Sequence, residues 1–255
     1  MGSPAASCSE PESGLISMVQ LEKAFSKAWS PRSDDYKAVT ALIIHYDDDD
    51  TGAKDDAREL EKTFREKLQI HAVENIAIPT DQFTDPLLFV LNKILSMKEE
   101  HHNSTKAGKT LFILAYIGHG VLRKSWGQST KDLCLQSSRG HHHVLWEQLI
   151  SHAVQTPVDF LGILDCCSTD LHSIRELSPN THQILAACGP DDSPYLRNHG
   201  ARPTFTRSIC HSIDIAAAGN VESFTTDWLI QEIHNLTPKP PGEPRRTQNN
   251  PYFWT

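Results

Sequence analysis

Short apolar runs rich in β-branched residues alternate along this chain with segments whose apolar residues recur every three to four positions. That alternation most limits what the chain can fold into. Ala38 to His45 (AVTALIIH) reads as a strand, and Ala53, Ala57, Leu60, Phe64 and Leu68 then repeat at helical spacing. A second strand-like run follows at 72–78 (AVENIAI), and Pro86 opens a helix carrying Leu87, Leu88, Leu91, Ile94 and Leu95. Thr110 to Ile117 (TLFILAYI) is the most hydrophobic strand, and Val144, Leu145, Gln148, Leu149, His152 and Ala153 read as another helix. Val158 to Leu164 and His182 to Cys188 read as two further strands, closed by helices from about Thr204 to Ala217 and Ser223 to His234. Strands that are apolar on both faces and separated by helices predict an α/β fold with a mostly parallel sheet covered on both sides.

The ends of the chain read differently. Residues 1–36 form an extension whose first part, Met1 to Gly14, is rich in Ser, Pro, Ala and Glu, a composition that does not sustain a core. Within it Met18, Leu21, Phe25 and Trp29 predict one short amphipathic helix. The body is expected over 37–236. Residues 237–255 combine a Pro-rich polar linker with the apolar Tyr252, Phe253 and Trp254, which suit an edge strand.

Charge and composition narrow the function. Asp and Glu number 32 against 24 Lys and Arg, a net charge of −8. That balance argues against a nucleic-acid or anionic-membrane surface, which needs concentrated positive charge. No apolar run approaches the roughly 18–20 residues of a membrane span, and Met1 to Glu10 lacks the basic and apolar regions of a signal peptide. The expectation is a cytoplasmic protein. Six cysteines without a CxxC pair predict neither a disulfide scaffold nor a structural zinc site.

Parallel sheets bind ligands at the carboxyl ends of their strands, and two of those ends carry chemistry. Thr110 to Ile117 runs into Gly118-His119-Gly120, and Val158 to Leu164 runs into Asp165-Cys166-Cys167. If the two strands are neighbours, an imidazole and a thiol emerge side by side, the minimum for nucleophilic acyl transfer. Without a Cβ, Gly120 could turn its N–H toward a forming oxyanion. Each element alone has a plainer reading: a histidine in a Gly-rich loop is more often solvated, and a cysteine at a strand end is more often a small buried hydrophobe. The conjunction at two strand ends gives the pair its weight.

Three blocks then carry a resemblance. Tyr116 to Gly120 (YIGHG) resembles the Y-x-G-H-G of metacaspases and fungal caspase-like domains, and Leu164 to Thr169 (LDCCST) resembles their D-[SCA]-C-H-[SA]-G box. Gly52 to Phe64 (GAKDDARELEKTF) resembles the G-x-x-x-D-A-x-x-L segment after the first strand of caspases and metacaspases. Cys167 follows His119 by 48 residues, similar to the interval of about 50 in caspases. The resemblance implies a caspase-like three-layer sandwich with a central sheet of about six strands, and a cysteine endopeptidase acting on protein or peptide substrates. It makes His119 the general base and acid, Cys167 the nucleophile, Cys166 a packed spacer and Gly120 an oxyanion donor. It makes Asp56 and Asp165 the acids that hold an Arg or Lys side chain before the scissile bond. Asp47 to Asp50, where caspases carry an Arg, is acidic, which also favours a basic substrate residue; its plainer reading is a solvated loop.

Departures from the pattern keep a second reading open. Ser168 stands where relatives carry His, Asp170 where they carry Gly, and Ile117 where metacaspases carry a pocket Ser. Such a chain could be a weakened pseudo-protease serving as a signalling or interaction module, with a regulatory domain or protein as partner. No cofactor is expected: Val121 to Leu133 is basic until Asp132 and offers no counterpart to the acidic calcium segment of many metacaspases. His141 to His143 are read as a solvated helix N-terminus, because three adjacent histidines cannot all face one ion. Trp126 and Trp146 suit either the core or a substrate groove. Ser168 to Thr181 matches the family's cleavable loop, so any processing is expected after Arg175, its sole basic residue, and in trans.

Overall fold

The computed structural model describes residues 36–104, 109–124, 131–154, 158–167, 182–187, 204–219, 221, 224–236 and 252–254. The N-terminal helix, Trp126, the segment around Arg175 and the Pro-rich linker of the sequence reading lie outside them. The strands are β1 (Ala38–Tyr46), β2 (Ala72–Ile78), β3 (Thr110–Ile117), β4 (His119–Lys124), β5 (Lys131–Gln136), β6 (His143–Leu145), β7 (Asp159–Asp165), β8 (His182–Ala186) and β9 (Tyr252–Trp254). The helices are α1 (Ala53–Glu66), α2 (Pro86–Ser104), α3 (Trp146–Ala153), α4 (Phe205–Ala218) and α5 (Thr226–Leu236).

The main sheet has the order β2-β1-β3-β7-β8-β9. Its first five strands are mutually parallel, and β9 closes the edge antiparallel to β8. The period of two in a strand explains why both faces are apolar. On β1, Leu42, Ile44 and Tyr46 pack with α2 residues Val90 and Ile94 and α3 residues Trp146 and Leu149. Ala41 and Ile43 pack on the other side with Leu60 and Phe64 of α1, Ile209 of α4 and Ile233 of α5. The result is the three-layer α/β sandwich expected from the sequence. Trp146 belongs to its core, with no exposed surface. Burial of Leu60 and Phe64, each at most 2 % exposed, is worth roughly 1.5–3 kcal/mol apiece and fixes α1 to the sheet.

Local signals set the helix starts. Asp85 Oδ1 accepts from the N–H groups of Leu87 and Leu88 at 2.9 and 3.1 Å, satisfying donors that the first turn of α2 leaves open. Thr204 Oγ1 does the same for Arg207 N in α4, at 3.2 Å.

Three strands, β4 to β6, depart from the sequence reading. Val144 and Leu145, assigned there to a helix, belong to β6, where they pair with Leu135 and Cys134 of β5. β4, β5 and β6 form a separate antiparallel sheet. Leu133, Leu135 and Val144 cover the α2–α3 side of the core. Two apolar residues directly before a helix carry no period of their own, so only a pairing partner distinguishes strand from helix there. His141 to His143 correspondingly close the β5–β6 turn and begin β6, where the sequence reading put a helix N-terminus: Ser137 N donates to His142 O at 3.0 Å.

Candidate active site

β3 and β7 are adjacent and parallel, with Ile117 opposite Asp165, so the residues that follow them leave the sheet at the same edge. Gly118 N donates to Asp165 O at 3.1 Å and extends the contact one residue beyond the strand. Gly118 has φ of +147°, and a Cβ there would lie 2.9 Å from Asp49 Oδ2 and 3.0 Å from Tyr116 Oη. Only glycine makes this turn without strain. It swings the chain out of the main sheet and into β4. Tyr116, fully buried, donates its hydroxyl to the His119 carbonyl at 2.6 Å and so fixes the histidine backbone. Burial raises the Tyr116 pKa well above its ordinary value, so this donor keeps its proton.

His119 is one-third exposed, and its Nε2 lies 2.7 Å from Asp50 Oδ1. A carboxylate is acceptor-only, so this contact places the ring proton on Nε2 and leaves Nδ1 as the basic nitrogen. Ser138 supports the acid twice: its hydroxyl donates to Asp50 Oδ1 at 3.0 Å and accepts from Asp50 N at 3.0 Å. These bonds, that to His119 foremost, hold the Asp50 carboxyl below its ordinary range.

The rest of the aspartate run is equally committed. Asp47 accepts from the Thr80 hydroxyl at 2.6 Å and Asp48 from Ser138 N at 3.3 Å. Asp49 Oδ1 accepts from Thr51 N, Thr51 Oγ1 and Ala53 N, at the start of α1. Four like charges in a row suggested a solvated loop. Asp47 and Asp50 are exposed, as that reading expects, yet each of the four carboxylates accepts a hydrogen bond, and the Asp50–His119 contact could not be read from a separation of 69 residues.

The two adjacent cysteines differ in burial. Cys166 is 1 % exposed and packs in the core, whereas Cys167 is half-buried. A Cβ on Gly120 would stand 2.8 Å from Cys166 Sγ and 2.8 Å from the Cys167 carbonyl oxygen. The histidine strand and the cysteine turn therefore meet nearly backbone to backbone, and glycine is the residue that lets them. Among the described cysteines Cys167 alone is not buried. Burial pushes the Cys210 thiol up to about 12 and raises that of Cys134, so both stay protonated and inert.

The two acids expected to hold a substrate cation, Asp56 on α1 and Asp165 at the end of β7, both contact the first turn of α4. Asp56 is 2 % exposed, and its Oδ1 accepts from Arg207 Nε at 2.8 Å; Glu59 stands 3.5 Å from the same nitrogen. Asp165 is 5 % exposed, and its Oδ2 accepts from Thr206 N at 3.0 Å and Thr206 Oγ1 at 2.7 Å. Both carboxylates are thus engaged by neighbouring residues of one helix. Among the described residues no three His, Cys, Asp or Glu side chains gather as a metal site, and no described helix is long and apolar enough to cross a membrane.

The fold is similar to that of protein GSU0716 from Geobacter sulfurreducens, with a TM-score of 0.53 and 14 % identity over 85 % of this chain and 92 % of that one. The crystal structure of drICE, a caspase, aligns at a TM-score of 0.46 and 13 % identity, covering 79 % of this chain and 82 % of its own. No protein-family model and no curated protein sequence matches the chain.

Proposed function

We propose that this chain is a cysteine endopeptidase in which His119 and Cys167 form the working pair. One observation carries the reading: an imidazole held by a carboxylate and a half-buried thiol leave the ends of neighbouring parallel strands, and the segments that bear them approach closely at Gly120. The chemistry follows from those groups. His119 Nδ1 takes the Cys167 proton as the sulfur attacks the peptide carbonyl carbon, and it passes that proton to the leaving amine. The thioester left on Cys167 is hydrolysed by water, which His119 deprotonates in turn. The N–H groups of Gly120 and Cys167 serve the tetrahedral oxyanion. The pair needs no cofactor, calcium included, and it needs a reduced thiol, which suits the cytoplasm.

The preferred residue before the scissile bond is Arg or Lys. Asp56 and Glu59 already accommodate one guanidinium, that of Arg207. Carboxylates that suit an internal guanidinium suit a substrate's, with Arg207 as the competitor. The same occupancy favours the second reading, a silent caspase-like module, if Arg207 and Thr206 never release the two acids.

Fluorogenic peptides ending in Arg, Lys or Asp, assayed with the chain and with Cys167→Ala, separate these. Cleavage after Arg or Lys that disappears in Cys167→Ala supports the peptidase. No turnover of any peptide supports the silent module, and preferred cleavage after Asp overturns the specificity.

A further inference from the structure

We infer that Asp50 is a positioning residue for His119, fixing the tautomer and aim of the imidazole. The inference rests on the peptidase reading for its consequence in turnover, although the tautomer itself can be observed without any substrate. The contact is 2.7 Å, within the range of charge-assisted hydrogen bonds. Asp50 is anchored from both its carboxylate and its backbone N–H by Ser138. His119 and Ser138 belong to one antiparallel unit, because His119 pairs with Gln136 on β5, two residues before Ser138. Histidine, acid and anchor therefore hold their spacing through the β4–β5 ladder.

The other three aspartates of the run are engaged elsewhere, so no neighbour duplicates the contact. Because its carboxyl is held below the ordinary range, Asp50 is an acceptor throughout neutral pH. Its side chain is 72 % exposed. Screening by water makes its charge a weak contribution, so orientation and proton placement are what it supplies. An imidazole with its proton on Nε2 offers the lone pair of Nδ1 to a thiol; the opposite tautomer offers a donor there and takes no proton.

The experiment combines nitrogen-15 NMR of the His119 ring with steady-state kinetics, using the full chain, Asp50→Ala and Asp50→Asn. The unaltered chain should show the Nε2–H tautomer, and Asp50→Ala should show a mixture. In Asp50→Asn the side-chain carbonyl still accepts from Nε2–H and should restore much of the tautomer. Turnover should follow the spectra, with kcat falling roughly 10- to 100-fold in Asp50→Ala, KM unchanged, and partial recovery in Asp50→Asn. An Nδ1–H tautomer in the unaltered chain, or identical ring spectra in Asp50→Ala, overturns the inference. The expected spectra in a chain that cleaves no peptide uphold the positioning role and remove the peptidase reading alone.

Discussion

Replacing Gly120 with Ala isolates one physical quantity, the distance between the histidine strand and the cysteine turn. Gly120 lies outside the left-handed region, so alanine brings no backbone strain. Its methyl group would stand 2.8 Å from both Cys166 Sγ and the Cys167 carbonyl oxygen, where ordinary contact begins at 3.4 Å. One of the partners is backbone and the other a core side chain, so neither can swing aside. The two segments must separate by about half an ångström or more. Overpacking of this kind costs about 1–3 kcal/mol, and misplacing reacting groups by about 1 Å can cost 10²-fold in rate. The expected outcome is a loss of about 1–3 kcal/mol in urea denaturation and a fall of roughly 10- to 100-fold in kcat/KM on an Arg peptide. Gly52→Ala is the opposite control, with φ of +86° and open space around the added methyl, so it should cost stability through strain and leave turnover nearly intact. A Gly120→Ala protein with activity within twofold of the parent would refute the close approach on which the site is built.

Three other outcomes are expected. Arg207→Ala removes the cation from Asp56 and Glu59, so KM for Arg peptides should fall several-fold in a peptide assay. Stability should fall by about 1–2 kcal/mol, between the values for exposed and buried pairs, and a rise in KM would contradict the competition. Asp165→Ala strips Thr206 N and Oγ1 of a charged acceptor and should cost about 2–3 kcal/mol, read by chemical denaturation; a loss below about 0.5 kcal/mol would contradict the tie between β7 and α4. Lys98 donates to the His152 carbonyl, and burial lowers its pKa from 10.5 to about 8. The unfolded chain therefore binds more protons than the folded one between those values, so stability should rise with pH across that interval. Lys98→Met should flatten that rise in denaturation midpoints measured from pH 7 to 10.

The sequence was most informative where period and length agree. The apolar runs at 72–78 and 110–117 became β2 and β3 with the same bounds: β3 is buried on both faces, as its unbroken apolar run requires, and the half-buried edge strand β2 anchors itself through Val73 and Ile78. The three-stranded sheet was invisible for the opposite reason. β4 reads HGVLRK and is nowhere fully buried, so its pairing with β5 rather than its composition makes it a strand. At the site, the strand ends marked His119 and Cys167 as soon as the sheet was recognised as parallel. Asp50 was not legible, since nothing local distinguishes it from Asp47, Asp48 or Asp49; its partner is chosen by the turn at Ser138. Asp56 and Asp165 were found as acids, but their engagement by Thr206 and Arg207 depends on where α4 docks, which no sequence period specifies.

The parallel main sheet also dictates an order of assembly. No pairing among β2, β1, β3, β7 and β8 can be closed by a tight turn, so each waits on a slow, long-range search. The antiparallel β4-β5-β6 ladder is local in sequence and forms early by comparison. On that order we expect His119 to be set on its ladder while β7 is still unpaired, with Cys166 a solvent-facing thiol beside Cys167 through that interval. Oxidation in that window would lodge an oxygenated or cross-linked sulfur in a position that ends 1 % exposed, against Gly120. Refolding yield should accordingly depend on reductant supplied before β3 and β7 join and become indifferent to it afterwards.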